Sequence, residues 1–186
     1  NRLQLSLDKK NRNSFEIYNL GVSGDTTEEL LKRIEPECKA RLKGEEAEWY
    51  SDNFVVIEIG ANDAGLTSGN EMVTFEKFKK NISKIAGIAG KYADHVMFVG
   101  CGLVDEKRTT PVSFDESLFY TNERNKTYSN AIKQMCEEKK LIFVDVMAPL
   151  SKTKNVLDDG LHLNARGHAV VADAVEKTLV KAGFLR

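Results

Sequence analysis

Four short apolar, β-branched runs recur along the chain at a nearly constant interval. They begin at Phe15 (FEIYNL), Phe54 (FVVIEI), Val96 (VMFV) and Leu141 (LIFVDV), so successive starts lie 39, 42 and 45 residues apart. A hairpin needs only a short turn, whereas a parallel neighbour needs a crossover of about a dozen residues or more. Intervals near forty leave room for one helix and its loops, the arithmetic of βαβ units. The runs are apolar on both faces, as buried parallel strands are. The spacing therefore predicts an α/β chain with an open parallel sheet and helices on both faces. In such sheets ligands bind beyond the carboxyl ends of the strands.

The segments between the runs carry helical period. Asp25-Thr26-Thr27-Glu28 forms a capping signal ahead of Leu30, Leu31, Ile34 and Cys38. Pro36 is expected to kink or shorten that helix. Phe75, Phe78, Ile82, Ile85 and Ala89 step along one helical face. Tyr128, Ile132, Met135 and Cys136 define a third helix. Val171, Val175 and Leu179 define a C-terminal one, with Asn164 as its N-cap. The opening NRLQLSLDKKN fits a helix or a strand, and helix is favoured because Asn11 to Ser14 then form the loop into Phe15. Leu103 to Tyr120 is the longest irregular stretch, either a loop over a site or a surface excursion.

Length and composition narrow the function classes. The 186 residues suit one α/β domain. A hydrophobic content of 41% excludes a mainly disordered chain. The 27 Lys and Arg against 28 Asp and Glu leave a net charge of −1, without the basic stripe that nucleic acid requires. No apolar run approaches the length of a membrane span. Cys38, Cys101 and Cys136 are odd in number and widely spaced, with no disulfide framework and no CxxC pair. Reduced thiols, and hence a cytoplasmic protein, are the expectation. The chain begins at Asn1 with no charged-then-apolar leader before it, as a processed or truncated chain would.

Three polar clusters follow runs of strand character: Gly21-Val22-Ser23-Gly24-Asp25, Gly60-Ala61-Asn62-Asp63 and Asp158-Asp159-Gly160-Leu161-His162. The topology would bring all three to one edge of the sheet. Asp159 and His162 lie three residues apart in a turn before a helix. There the carboxylate could bond Nδ1, fix the tautomer and stabilise an imidazolium, as a general base requires. The plainer reading is a loop histidine beside a turn-forming aspartate. A backbone N–H at Gly24 and the side-chain amide of Asn62 are both suitable donors to an oxyanion. Each also reads as ordinary turn chemistry.

Other candidates are weaker. Gly100-Cys101-Gly102 with Asp105 is half of a dinucleotide fingerprint and keeps a nucleotide-binding reading open. Ser23 resembles a nucleophile elbow, but the closing glycine falls on Asp25, so Ser23 reads as a turn residue. Cys101 reads as a small buried residue rather than a nucleophile. Asp159, His162 and His168 could in principle hold a metal, yet no HExxH or CxxC accompanies them, and His168 reads as packing or capping.

Together the clusters resemble the SGNH (GDSL-type) hydrolase family. Tyr18 to Thr26 resembles the family's second block, Gly60-Ala61-Asn62-Asp63 its third, and Asp159-Gly160-Leu161-His162-Leu163-Asn164 its fifth, with Gly167-His168 following. The resemblance implies a flavodoxin-like three-layer α/β/α sandwich with a parallel sheet, one domain over residues 1–186. It implies hydrolysis of an ester or thioester through an acyl-enzyme. His162 would be base and acid, Asp159 its orienting partner, and Gly24 and Asn62 the oxyanion hole. The partner implied is a small-molecule ester or thioester, with no metal or organic cofactor, no nucleic acid and no membrane span. The family's first block, a strand ending in Gly-Asp-Ser, is absent from the sequence. The nucleophilic serine is therefore expected upstream of Asn1, and the alternative is a catalytically silent ester- or carbohydrate-binding domain of the same fold.

Overall fold

The computed structural model describes residues 3, 4, 7, 16–42 and 52–185. Three strands form a parallel sheet in the order β1 (Phe54–Glu58), β4 (His95–Val99), β6 (Ile142–Val144). β1 pairs with β4 from Phe54 opposite His95 to Glu58 opposite Val99, and β4 pairs with β6 from Met97 opposite Ile142 to Val99 opposite Val144. The strands β2 (Leu66–Thr67), β3 (Asn70–Glu71) and β5 (Leu118–Phe119) make a second, antiparallel sheet in the order β3-β2-β5.

Strand alternation divides the core in two. Val96 and Phe98 of β4 face one layer, while Met97 and Val99 face the other. The first layer comprises α1 (Thr27–Leu42), α3 (Phe75–Ala89) and α5 (Asn122–Lys139). The second comprises α6 (Met147–Ser151) and α7 (Ala165–Lys181), joined by Leu3. Both faces of the sheet are thus covered by helices, as the unbroken apolar runs require. The short helices α2 (Ala61–Ala64) and α4 (Glu106–Thr109) belong to loops at the carboxyl ends of β1 and β4.

The helical periods predict the buried faces. Phe78, Ile82, Ile85 and Ala89 are all buried on α3, and burying each of the three larger side chains contributes about 2 kcal/mol. Tyr128, Ile132, Met135 and Cys136 are buried on α5, and Val175 and Leu179 on α7. At the start of α1 the Thr26 N–H donates to Glu29 Oε2 at 3.1 Å and the Thr26 hydroxyl oxygen accepts the Glu28 N–H at 3.2 Å, so side chains meet the groups at the helix N-terminus. Asn164 caps α7, its Oδ1 accepting the N–H groups of Arg166 and Gly167 at 2.9 and 3.1 Å. Leu3, Gln4 and Leu7 are helical, as the favoured reading has it. The rest of that opening segment, and Phe15, lie outside the described residues.

Two expectations need correction. Glu16 to Leu20 form no strand. β propensity records fit to a pleated, partnered surface, and here the segment bonds to its own turn and to α1. The side chain of Asn19 accepts the Gly21 N–H at 3.1 Å, and Arg33 takes the Leu20 carbonyl at 2.9 Å. Of the kink or shortening expected at Pro36, the shortening does not occur, because α1 continues to Leu42. Ile34 and Cys38 are buried on either side of it, so tertiary packing outweighs the missing hydrogen bond.

Candidate active site

Two residues past the end of β1, Gly60 turns the chain into α2 with a φ of +114°. A Cβ there would stand 3.1 Å from the Phe78 ring and 3.3 Å from Cys101 Sγ, so both conformation and space favour glycine. Two residues later Asn62 emerges with its amide fixed on both sides. Its Nδ2 donates to the Asp25 carbonyl at 2.9 Å, and its Oδ1 accepts from the Tyr120 hydroxyl at 3.4 Å. One Nδ2 proton is therefore committed and the second remains for another acceptor.

Asn62 lines a cavity of about 130 Å³ with Val22, Asp25, Glu58, Gly60 and Gly100 to Gly102. The cavity lies beyond the carboxyl ends of β1 and β4, where open parallel sheets bind ligands. The loop that brings Asp25 there is clamped by Arg33, whose Nε donates to Asp25 Oδ2 at 2.7 Å. Gly24 is exposed in the adjoining turn. Cys101 is buried in the cavity wall, and burial pushes its thiol up to about 12, so it stays protonated at neutral pH.

Asp63 holds this end of the sheet together. Its fully buried carboxylate accepts the Thr27 N–H at 3.1 and 3.0 Å, and also the Thr27 hydroxyl. That hydroxyl in turn accepts from Asn81 Nδ2 at 2.9 Å. The network ties α2 to the N-terminus of α1 and to α3, and so sets Asn62 against Asp25. Burial pushes the Asp63 carboxyl up, and the Thr27 donors oppose that. The sequence reading missed this role, and its only signal was an acid placed directly after Asn62 at a strand end.

The third cluster forms a tight pair. His162 Nδ1 lies 2.7 Å from Asp159 Oδ2. Asp159 Oδ1 accepts the N–H groups of Leu161 and His162 at 2.9 and 2.8 Å. Gly160 makes the turn possible with φ +96°, and a Cβ there would stand 2.6 Å from Arg108 Cβ. Burial acts to raise the Asp159 carboxyl, but the N–H and ring of His162 and the N–H of Leu161 outweigh it and hold it well below the usual carboxylate range. His162 is largely exposed and stacks on Phe114, with ring centroids 6.1 Å apart and planes 24° apart.

Asn62 and Asp25 thus share the cavity, whereas Asp159 and His162 sit on a neighbouring loop outside its lining. An apolar cluster bridges the two. Leu161 packs with Val104, Val112 and Tyr120, and Tyr120 reaches Asn62. His168 is exposed on the first turn of α7. Among the described residues no group of three His, Cys, Asp or Glu could hold a metal ion. The three cysteines are free and buried.

The sequence pattern of the GDSL-like lipase/acylhydrolase family matches residues 1–170. This chain belongs to that family. An isoamyl acetate-hydrolyzing esterase of Saccharomyces cerevisiae is 29% identical over 175 residues, which is 89% of this chain and 69% of the yeast protein. The GDSL esterase/lipase CPRD49 of Arabidopsis thaliana is 26% identical over 141 residues, 70% of this chain and 55% of that protein. This GDSL-family chain therefore spans little more than half to about two thirds of these two relatives. Among solved structures, LAE5, an alpha/beta hydrolase enzyme from the metagenome of Lake Arreo, superposes with a TM-score of 0.73 at 19% identity, over 100% of this chain and 81% of that one. Axe2, an acetylxylan esterase from Geobacillus stearothermophilus, gives 0.65 at 19% identity, over 87% of this chain and 70% of that one. The GDSL chain thus has the SGNH hydrolase fold, and among its described residues no helix is long and apolar enough to cross a membrane.

Proposed function

We propose that this chain is the greater part of a serine acyl hydrolase that cleaves carboxylic esters or thioesters through an acyl-enzyme. The nucleophile is a serine in residues preceding Asn1, on a strand ending in Gly-Asp-Ser. The observation that carries the reading is the pair of Asp159 and His162, joined at 2.7 Å through Nδ1. That bond fixes the ring's tautomer and leaves Nε2 to move the proton.

In this reading the serine Oγ attacks the substrate carbonyl carbon as His162 Nε2 takes its proton. The Gly24 N–H and the second Asn62 Nδ2 proton receive the oxyanion. Collapse breaks the bond to the alkoxide or thiolate, which leaves with the proton from the imidazolium. A water then repeats the sequence on the acyl-enzyme, releasing the acid and restoring the serine hydroxyl. The name of the yeast relative supports a small acetate ester as a first substrate to try.

The test is fluorophosphonate labelling of the full-length protein. Label on a serine upstream of Asn1, lost in His162→Ala together with several orders of magnitude in kcat, is the expected result. A folded full-length protein that takes no label would overturn the proposal and favour a silent ester-binding domain.

A further inference from the structure

Phe114 is the feature that the reaction above does not use. It is 59% exposed, and its ring lies beside the catalytic candidate His162. The ring is not on a loose loop. Val112, two residues before it, is 1% exposed and packs with Val104 and Tyr120. The Val112 N–H donates to the Leu118 carbonyl at 2.9 Å, and the Asp115 N–H to the Val112 carbonyl at 3.2 Å. The Asp115 side chain accepts the N–H and hydroxyl of Ser117 at 2.9 and 2.7 Å. The turn that carries Phe114 is therefore bonded on both sides and buried at its root. It holds the ring in water, stacked on the imidazole of His162.

We propose that Phe114 is the binding surface for the alcohol half of the ester, and that it selects alcohols with an apolar alkyl chain. This rests on the serine hydrolase reading. In that chemistry the imidazolium must reach the leaving oxygen at about 3 Å to protonate it. The carbonyl oxygen meanwhile points at Asn62. Asp159 occupies the Nδ1 side of the ring, so the leaving group's substituent lies on the side of Nε2 and the ring face, where Phe114 is stacked with its centroid 6.1 Å away. Val22, also exposed, lines the cavity with Asn62 and so belongs to the carbonyl side. An aromatic face with no donor of its own beyond the ring binds CH2 groups by burial, and discriminates among them by size.

The experiment uses the full-length enzyme and two ester series. One keeps the acetyl group and lengthens the alcohol from methyl to hexyl. The other keeps methanol and lengthens the acid from acetate to hexanoate. In the wild-type enzyme kcat/KM should rise along the alcohol series. Phe114→Ala should lower it for hexyl acetate about tenfold more than for methyl acetate, chiefly through KM, and Phe114→Leu should restore most of that difference. The ratio along the acid series should not move. An equal fall for all alcohols would make Phe114 a support for His162 and overturn the proposal, as would a wild-type enzyme that labels with fluorophosphonate but ignores alcohol length. A full-length protein that takes no label would instead remove the hydrolase reading, and this inference with it.

Discussion

One carboxylate oxygen of Asp159 faces His162 Nδ1 at 2.7 Å while the other accepts the His162 backbone N–H at 2.8 Å. A single side chain thus fixes both the ring and the peptide of the same histidine. Asp159→Asn should separate the two effects. The asparagine carbonyl can still accept the backbone N–H groups, but its NH2 must then face Nδ1 and force that nitrogen to accept. The tautomer reverses, and Nε2 carries a proton it cannot exchange for another. We expect kcat in the full-length enzyme to fall by about four orders of magnitude, with a small change in Tm. A loss of less than about tenfold would detach Asp159 from the chemistry.

The same carboxylate makes stability depend on acid. Its folded value lies well below the usual range because the His162 and Leu161 donors outweigh the opposing effect of burial. A depressed folded value adds stability that is complete above the unfolded aspartate value of about 3.9 and is lost as pH falls through the folded one. Asp159→Asn has no such titration. The stability gap between wild type and variant should therefore be constant near neutrality and shrink from about pH 4 downward. Urea unfolding at pH 6, 4 and 3 checks this, and a gap that widens in acid would reverse the sign of the argument.

Asn62 is held by Asp25 and Tyr120 on either side of its amide. Asn62→Ala should cost about two to three orders of magnitude in kcat, the scale of one oxyanion donor, with KM little changed. Tyr120→Phe keeps the buried ring and removes only the 3.4 Å bond to Asn62 Oδ1. Its effect should be smaller, less than about tenfold, and confined to kcat. A variant of Asn62 with full activity would leave the cavity without a role in the reaction.

What was legible in the sequence is what closes within a few residues. The helical faces of α3, α5 and α7 follow from period alone, because a buried stripe must repeat at that spacing. The Asp159 and His162 pair spans three residues and needs only a Gly turn. The bond from Tyr120 to Asn62 joins residues 58 apart and is set by the packing of a loop, which leaves no periodic trace. FEIYNL shows the opposite limit. Its composition suits a strand, but a strand exists only with a neighbour, and Glu16 to Leu20 form none. At Pro36 a local penalty that could have shortened α1 is set aside by buried neighbours on both sides.

Asp63 offers a test of how the two halves of the site are kept in register. Its carboxylate takes the N–H and hydroxyl of Thr27, and the hydroxyl takes Asn81 Nδ2, all of them buried. Removing the carboxylate strands donors that water cannot reach, at about 1–3 kcal/mol for each unmet group. Asp63→Ala should therefore lower the unfolding free energy by at least about 2 kcal/mol and Tm by several degrees. Thr27→Ala should cost less, because the carboxylate keeps the Thr27 N–H. The double variant should fall short of the sum by more than about 0.5 kcal/mol, the signature of groups in one network. Because the network sets α2 against α1, Asp63→Ala should also loosen the bond from Asn62 to Asp25 and lower kcat below what its remaining folded fraction explains. Strict additivity in the cycle would mean that Asp63 and Thr27 stabilise the fold separately, and that Asn62 owes its position to β1 and Tyr120 alone.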